Sequence, residues 1–133
     1  MDTTRLVILG ATGSIGTQTL DVARMHSDKI EVVALAAGRR VDDAVRYAIE
    51  FGCKHLAFGD EGVRDAPALA QLDDGVSVGF GPAAVAALTQ LDDVDVVLNA
   101  LSGEAGMRAS YDTLRAGRTL ALANKESLVV GGD

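Results

Sequence analysis

The sequence predicts a doubly wound α/β fold: a mainly parallel sheet with helices on both faces. Three observations carry this prediction. Short runs of branched apolar residues alternate with helical periodicities along all 133 residues. The connections between those runs are too long for hairpins. The composition, 48% hydrophobic with 4% aromatic, is that of Val-, Leu-, Ile- and Ala-rich strands covered on both sides.

The elements follow in order. Residues 5–9 form a first strand, and residues 14–26 a helix whose apolar stripe is Ile15, Leu20, Val22 and Ala23. Residues 30–36 are a second strand ending at Ala37-Gly38. Residues 41–51 are a helix with Val41, Ala44, Val45, Ala48 and Ile49 on one face and Gly52 as its stop. Residues 55–58 are a third strand, 59–62 a turn, and a loose helical segment runs on to Leu72. Asp73-Asp74-Gly75 turns the chain into a strand at 76–79. Residues 82–91 are an Ala-rich helix with Pro in its first turn. A strand at 94–101, a helix at 104–116 closed by Gly117 and a strand at 119–123 complete the alternation, followed by Asn124 to Ser127 and the apolar Leu128-Val129-Val130. No repeat, linker or low-complexity segment intervenes, so residues 1–133 are expected to form one domain.

The stretch Gly10-Ala11-Thr12-Gly13-Ser14-Ile15-Gly16 lies between the first strand and the first helix. That is the setting in which a glycine motif signals phosphate binding in a Rossmann-like domain. Gly10 lets the chain leave the strand sharply, and Gly13 lets the backbone approach a pyrophosphate. Gly16 lets the helix pack closely, while its first N–H groups and positive dipole end face the anion. Thr12 and Ser14 add hydroxyls, with Ser14 as an N-cap candidate. The spacing is GxxGxxG rather than GxGxxG, and a tight turn without a ligand is the alternative reading.

The formal net charge of −7 and the absence of a basic block exclude a general nucleic-acid surface. The single cysteine, Cys53, cannot form an internal disulfide and fits a reducing cytoplasm. With no signal-peptide pattern and no apolar run of membrane-spanning length, a soluble, cytoplasmic protein with no membrane partner is expected.

Ligands of such sheets bind beyond the carboxyl ends of the strands. Besides the glycine loop, three connections qualify: 37–40, 99–106 and 123–127. An NAD-selective domain usually carries an Asp or Glu about twenty residues past the glycines. Here that place reads Ala37-Gly38-Arg39-Arg40, and two guanidiniums there suit a 2′-phosphate, favouring NADP. Solvated arginines balanced by Asp42 and Asp43 are the alternative. The 99–106 connection offers small residues that suit either a nicotinamide or an ordinary turn. Asn124, Lys125 and Glu126 can meet a ribose, an amide or a phosphate, or else start a helix capped by Asn124. His26 and His55 lack metal-ligand spacing, Cys53 falls on the wrong edge for a nucleophile, and Tyr47 and Tyr111 read as packing residues. The acidic clusters at 73–74 and 92–95 read as solvated turns.

Taken together, Gly10-Ala-Thr-Gly-Ser-Ile-Gly16, Val32-Val33-Ala34-Leu35-Ala36-Ala37-Gly38 and Leu122-Ala123-Asn124-Lys125-Glu126-Ser127-Leu128-Val129 resemble the amino-terminal domain of 1-deoxy-D-xylulose 5-phosphate reductoisomerases. The resemblance covers nearly the whole chain, and its Asn-Lys-Glu-Ser-Leu-Val run is the specific part. It implies an NADPH- and divalent-metal-dependent (Mg or Mn) enzyme that rearranges and reduces a ketose phosphate to 2-C-methyl-D-erythritol 4-phosphate, on the non-mevalonate route to isoprenoids. By resemblance, Thr12, Gly13, Ser14 and Ile15 hold the pyrophosphate, with Gly10 shaping the loop. Gly38 and Arg39 lie at the adenosine ribose and 2′-phosphate. Asn124 and Glu126 contact the cofactor, and Lys125 faces the sugar phosphate. The family often has Asn where this chain has Arg40, so Arg40 departs from the pattern, although it suits a 2′-phosphate. The metal ligands and substrate phosphate site belong to a domain that follows, so no catalytic or metal-binding residue is expected here. The Gly131-Gly132-Asp133 end reads as a truncation point, and a homodimer is compatible with the family.

Two other readings compete. The cofactor domain of an aspartate-semialdehyde dehydrogenase also opens with Gly-Ala-Thr-Gly, but it needs a catalytic cysteine that Cys53 is badly placed to supply. A non-enzymatic NADP(H)-binding module is the second.

Overall fold

The structure, a computed structural model, describes residues 3–92, 94–101, 117, 119–123 and 128–131, from residue 120 onward by backbone alone. Seven strands, β1 (Thr4–Leu9), β2 (Ile30–Ala37), β3 (His55–Phe58), β4 (Ser77–Phe80), β5 (Val96–Asn99), β6 (Thr119–Ala123) and β7 (Leu128–Gly131), form one sheet. Their order is β4-β3-β2-β1-β5-β6-β7. All neighbours run parallel except β7, which pairs antiparallel with β6 through Ala123↔Leu128. The apolar run at 128–130 is thus an edge strand. A parallel crossover needs a dozen or more residues, and the connection from Ala123 to Leu128 is far too short for one.

Among the described residues three helices, α1 (Ser14–Met25), α2 (Val41–Phe51) and α3 (Pro82–Ala87), cover the sheet. One face carries α1 and α2: Leu6, Ile8, Val32, Leu35, Leu56 and Phe58 pack there with Leu20, Ala23, Ala44, Val45 and Ala48. The other carries α3, where Val85 and Leu88 meet Val7, Leu9, Val33, Ala34, Ala36 and Val97. The central strands β1, β2 and β3 are therefore dry on both faces, which is why they read as continuous apolar runs. In β2 the register slips between Leu6↔Val32 and Val7↔Ala34, leaving Val33 as a bulged residue.

Several boundaries depart from expectation for local reasons. On α1, Gly16, Leu20 and Ala23 are buried, but Ile15 and Val22 are exposed. On α2, Ile49 is exposed while Val41, Ala44, Val45 and Ala48 are buried. Each exposed residue lies roughly a quarter turn or more from the centre of the buried stripe, which is narrower than the apolar pattern. The expected 82–91 helix is α3 followed by a 3₁₀ turn, Leu88–Gln90. There the Thr89 hydroxyl donates to the Ala86 carbonyl at 2.7 Å, occupying an acceptor of the last α-turn. The expected 94–101 strand is cut to Val96–Asn99, because the Asn99 side-chain oxygen accepts the Leu101 N–H at 3.0 Å and turns the chain. The expected 76–79 strand sits one residue later, at Ser77–Phe80. The segment to Leu72 is two 3₁₀ turns, Glu61–Val63 and Pro67–Gln71. The predicted 104–116 helix and Tyr111 lie outside the described residues; Gly117 itself has a positive φ of 76°.

Candidate functional site

Successive strands move outward from β1 through β2, β3 and β4, and the chain then returns to β5 on β1's other side. The order reverses between β1 and β5, and open α/β sheets bind ligands beyond the carboxyl ends of the strands at such a point. Backbone hydrogen bonds run along this edge past the strand ends. Ala100 donates to the Leu9 carbonyl, Gly10 and Ala11 both donate to the Ala36 carbonyl, Gly59 donates to Ala37, Asp60 to Gly38 and Gly81 to Phe58, all at 2.7–3.2 Å. The loops above the sheet are therefore fixed to one another.

The glycine loop is the tightest of them. Gly10 has φ 86°, and a Cβ there would lie 3.2 Å from the carbonyl group of Ala100, across the switch point. A Cβ on Gly16 would lie 2.2 Å from the Gly10 oxygen and 2.7 Å from the Ala11 Cα, so Gly16 packs α1 onto the loop itself as well as toward the sheet. Gly13 is different: its Cβ would meet only the Gly10 oxygen, at an ordinary 3.5 Å. Gly13 is also the N-cap, in extended conformation and without a side-chain cap bond. Ser14 is thus the first helical residue and not the cap expected for it. The Thr17 N–H reaches the Gly13 carbonyl at 2.9 Å. Those of Ser14, Ile15 and Gly16 precede the first intrahelical bond, as in any α-helix. Gly13, Ser14 and Ile15 are exposed. Uncapped donors at the positive end of a twelve-residue helix, open to solvent, make an anion cradle.

The second loop is looser. Gly38, Arg39 and Arg40 are exposed, and nothing lies within 4 Å of where a Gly38 Cβ would be. Arg39 Nε stands 3.3 Å from Asp60 Oδ2, and Arg40 Nε 3.5 Å from Asp43 Oδ2, a carboxylate that also meets Arg46. Asp43 is a partner the sequence indicates; Asp60 is not. It comes from the end of β3, and no sequence spacing links it to Arg39, only the parallel pairing of β2 with β3. A groove of about 660 Å³ opens beside the arginines, with Gly62, Val63 and Ala66 on its far wall.

In the third loop Asn99 is buried, and Ala100 and Leu101 lead to residues outside the described ones. Asn124, Lys125 and Glu126 also lie outside the described residues. β6 ends at Ala123 on the same edge as the glycine loop, so the connection that holds them begins there.

The remaining singled-out side chains lie away from this edge. Cys53 is buried at the opposite edge, its Sγ 3.3 Å from the Val32 carbonyl. Burial pushes its thiol up to about 12, so it is no nucleophile at neutral pH. His26 caps the end of α1, and His55 starts β3, both also at the amino edge. Tyr47 packs half-buried against the core. Asp95 is no free turn residue: its carboxylate accepts the Arg5 backbone N–H at 2.8 Å and pairs with the Arg5 guanidinium. Glu50, held by the Arg24 guanidinium, sits below the usual carboxylate range and joins α2 to α1 away from the site. Among the described residues no group of three or more His, Cys, Asp or Glu could hold a metal.

The fold and its glycine loop define the class: a Rossmann-like α/β domain with an anion cradle at its switch point. Residues 6–132 match the family described as 1-deoxy-D-xylulose 5-phosphate reductoisomerase, and the chain belongs to that family. Over 96% of its length it is 46% identical to the 1-deoxy-D-xylulose 5-phosphate reductoisomerase of Mycobacterium marinum, and over 98% it is 46% identical to that of Corynebacterium glutamicum. It covers 30% and 33% of those proteins, so the chain spans about a third of the length of the curated relatives it matches. Among solved structures, the Zymomonas mobilis reductoisomerase in complex with NADPH superposes with a TM-score of 0.84 at 34% identity, covering 94% of this chain and 33% of that one. A reductoisomerase in complex with NADPH, fosmidomycin and magnesium gives 0.83 at 31% identity, covering 93% and 31%.

Proposed function

We propose that this chain is the NADPH-binding part of a cytoplasmic reductoisomerase that converts 1-deoxy-D-xylulose 5-phosphate to 2-C-methyl-D-erythritol 4-phosphate in the non-mevalonate route to isoprenoids. The observation that carries the reading is the uncapped start of α1 exposed at the β1/β5 switch point, in a chain of this family. The donor set fits the cofactor: the exposed N–H groups of Ser14 and Ile15 at the start of α1 for a pyrophosphate, and an exposed guanidinium at the end of β2 for a 2′-phosphate.

Each residue then has a task. Thr12, Gly13, Ser14 and Ile15 hold the pyrophosphate, and Gly10 keeps the loop clear of it. Gly38 leaves room for the adenosine ribose, while Arg39, with Arg40 beside it, binds the 2′-phosphate. Asn124 and Glu126 orient the nicotinamide half, and Lys125 meets the sugar phosphate. NADPH supplies the hydride of the reduction. A divalent cation, Mg or Mn, is held by carboxylates outside residues 1–133, together with the remaining substrate contacts and any homodimer interface. Among the described residues, no helix is long and apolar enough to cross a membrane.

Calorimetric titration of the chain with NADPH and with NADH tests the reading. Preference for NADPH, lost in Arg39→Ala, is the expected result. Equal affinity would remove the arginine clamp, and binding of neither would remove the site. The chain alone is expected not to turn over; metal-dependent oxidation of NADPH with the ketose phosphate would contradict the placement of the catalytic groups outside it.

A further inference from the structure

We propose that Asp60 is the positioning residue of the arginine that selects NADPH, a role that rests on the function proposed above. Asp60 is held at three points. Its N–H donates to the Gly38 carbonyl at 3.2 Å, its Oδ1 accepts the Gly62 N–H at 2.7 Å, and its Oδ2 lies 3.3 Å from Arg39 Nε. The neighbouring Gly59 N–H donates to the Ala37 carbonyl at 2.8 Å, so two successive bonds tie the end of β3 to the end of β2. The carboxylate is thus a fixed object, anchored to the backbone of the same loop that carries Arg39.

Arg39 is the opposite. Its side chain is 81% exposed, and Asp60 is its one ion-pair partner among the described residues. A free arginine there would sample many rotamers, and binding a phosphate would have to immobilise it. Asp60 approaches the Nε side of the guanidinium, leaving its far amino groups to meet phosphate oxygens. Asp60 also carries the charge that repels a 2′-phosphate. At this exposed site water and salt weaken that repulsion, so orienting Arg39 is the larger effect. Asp60 acts on the cofactor through Arg39, and only on a cofactor that bears the 2′-phosphate.

The test is a double-mutant cycle on the chain, with NADPH and NADH affinities measured for wild type, Asp60→Asn, Arg39→Ala and the double variant. Asp60→Asn is chosen because its side-chain oxygen can still accept the Gly62 N–H, which keeps the turn intact; thermal melting checks the fold. Asp60→Asn is expected to weaken NADPH about threefold, leave NADH unchanged, and have no effect once Arg39 is Ala. Equal weakening of both dinucleotides would show a structural role and overturn the inference. So would tighter NADPH binding, an unchanged NADPH affinity, or a loss that persists without Arg39. If Arg39→Ala still abolishes the NADPH preference in those cases, the proposed function stands and only the role of Asp60 falls; a wild type without preference overturns both.

Discussion

The first and second strand-to-helix loops face the same edge and are built on opposite plans. The glycine loop is overdetermined: two of its N–H groups share the Ala36 carbonyl, Gly10 abuts Ala100, and Gly16 leaves no room for a methyl group. The Arg39 loop has open space at Gly38 and exposed side chains held by ion pairs. The difference follows from what each must bind. Backbone N–H groups aim at an anion only if the backbone is rigid, so the first loop uses close packing to hold its direction. A guanidinium brings its charge on a long side chain and tolerates a loosely packed base.

The substitutions that separate the two plans span a wide range. Gly16→Ala is expected to have the largest effect, about 3 kcal/mol of destabilisation in chemical unfolding, since the Cβ would fall 2.2 Å from a backbone oxygen that a rotamer change cannot move. Gly10→Ala should cost about 2 kcal/mol, from its φ of 86° and the Ala100 contact. Gly13→Ala sharpens the comparison differently. Its Cβ meets nothing closer than 3.5 Å, so stability should stay within about 0.5 kcal/mol while dinucleotide affinity falls at least tenfold, read by calorimetry. Gly38→Ala, with open space around it, should leave stability within about 0.5 kcal/mol. A Gly38→Ala variant as unstable as Gly16→Ala would erase the contrast between the loops.

An effect of pH lies on the opposite edge. The folded-state pKa of Cys53, about 12, is raised above that of an unfolded thiol. Stability from this group is therefore whole below the unfolded pKa of about 8.5 and declines as pH rises toward 12. Alkaline unfolding that is shallower in Cys53→Ala would bear this out; an identical slope would not.

Local signals made most of the fold legible. Strands β3 and β6 and helix α2 have the bounds their apolar runs and glycines indicate, because turn chemistry and periodicity act within a few residues. What local signals do not carry is which face wins. Ile15, Val22 and Ile49 extend apolar patterns that the sheet is not positioned to cover. Asp60 escaped for a related reason. Its relation to Arg39 exists only through the β2–β3 pairing, and the ion-pair partners visible in the sequence were those on the same helix. The glycine loop was legible because strand, loop and helix are contiguous, whereas Ser14 as cap was not, since Gly13 takes the cap position.

The bulge in β2 bears on how this chain can gain or lose residues. Val33 and Ala34 both face the α3 side, while Val32 and Leu35 face α1 and α2. Removing one residue from a central strand ordinarily inverts every side chain on one side of the cut. Here, deleting Val33 leaves Val32, Ala34 and Leu35 in strict alternation, with each still on its present face. This interior strand therefore contains a site where a one-codon deletion keeps the inside and outside of the sheet in phase.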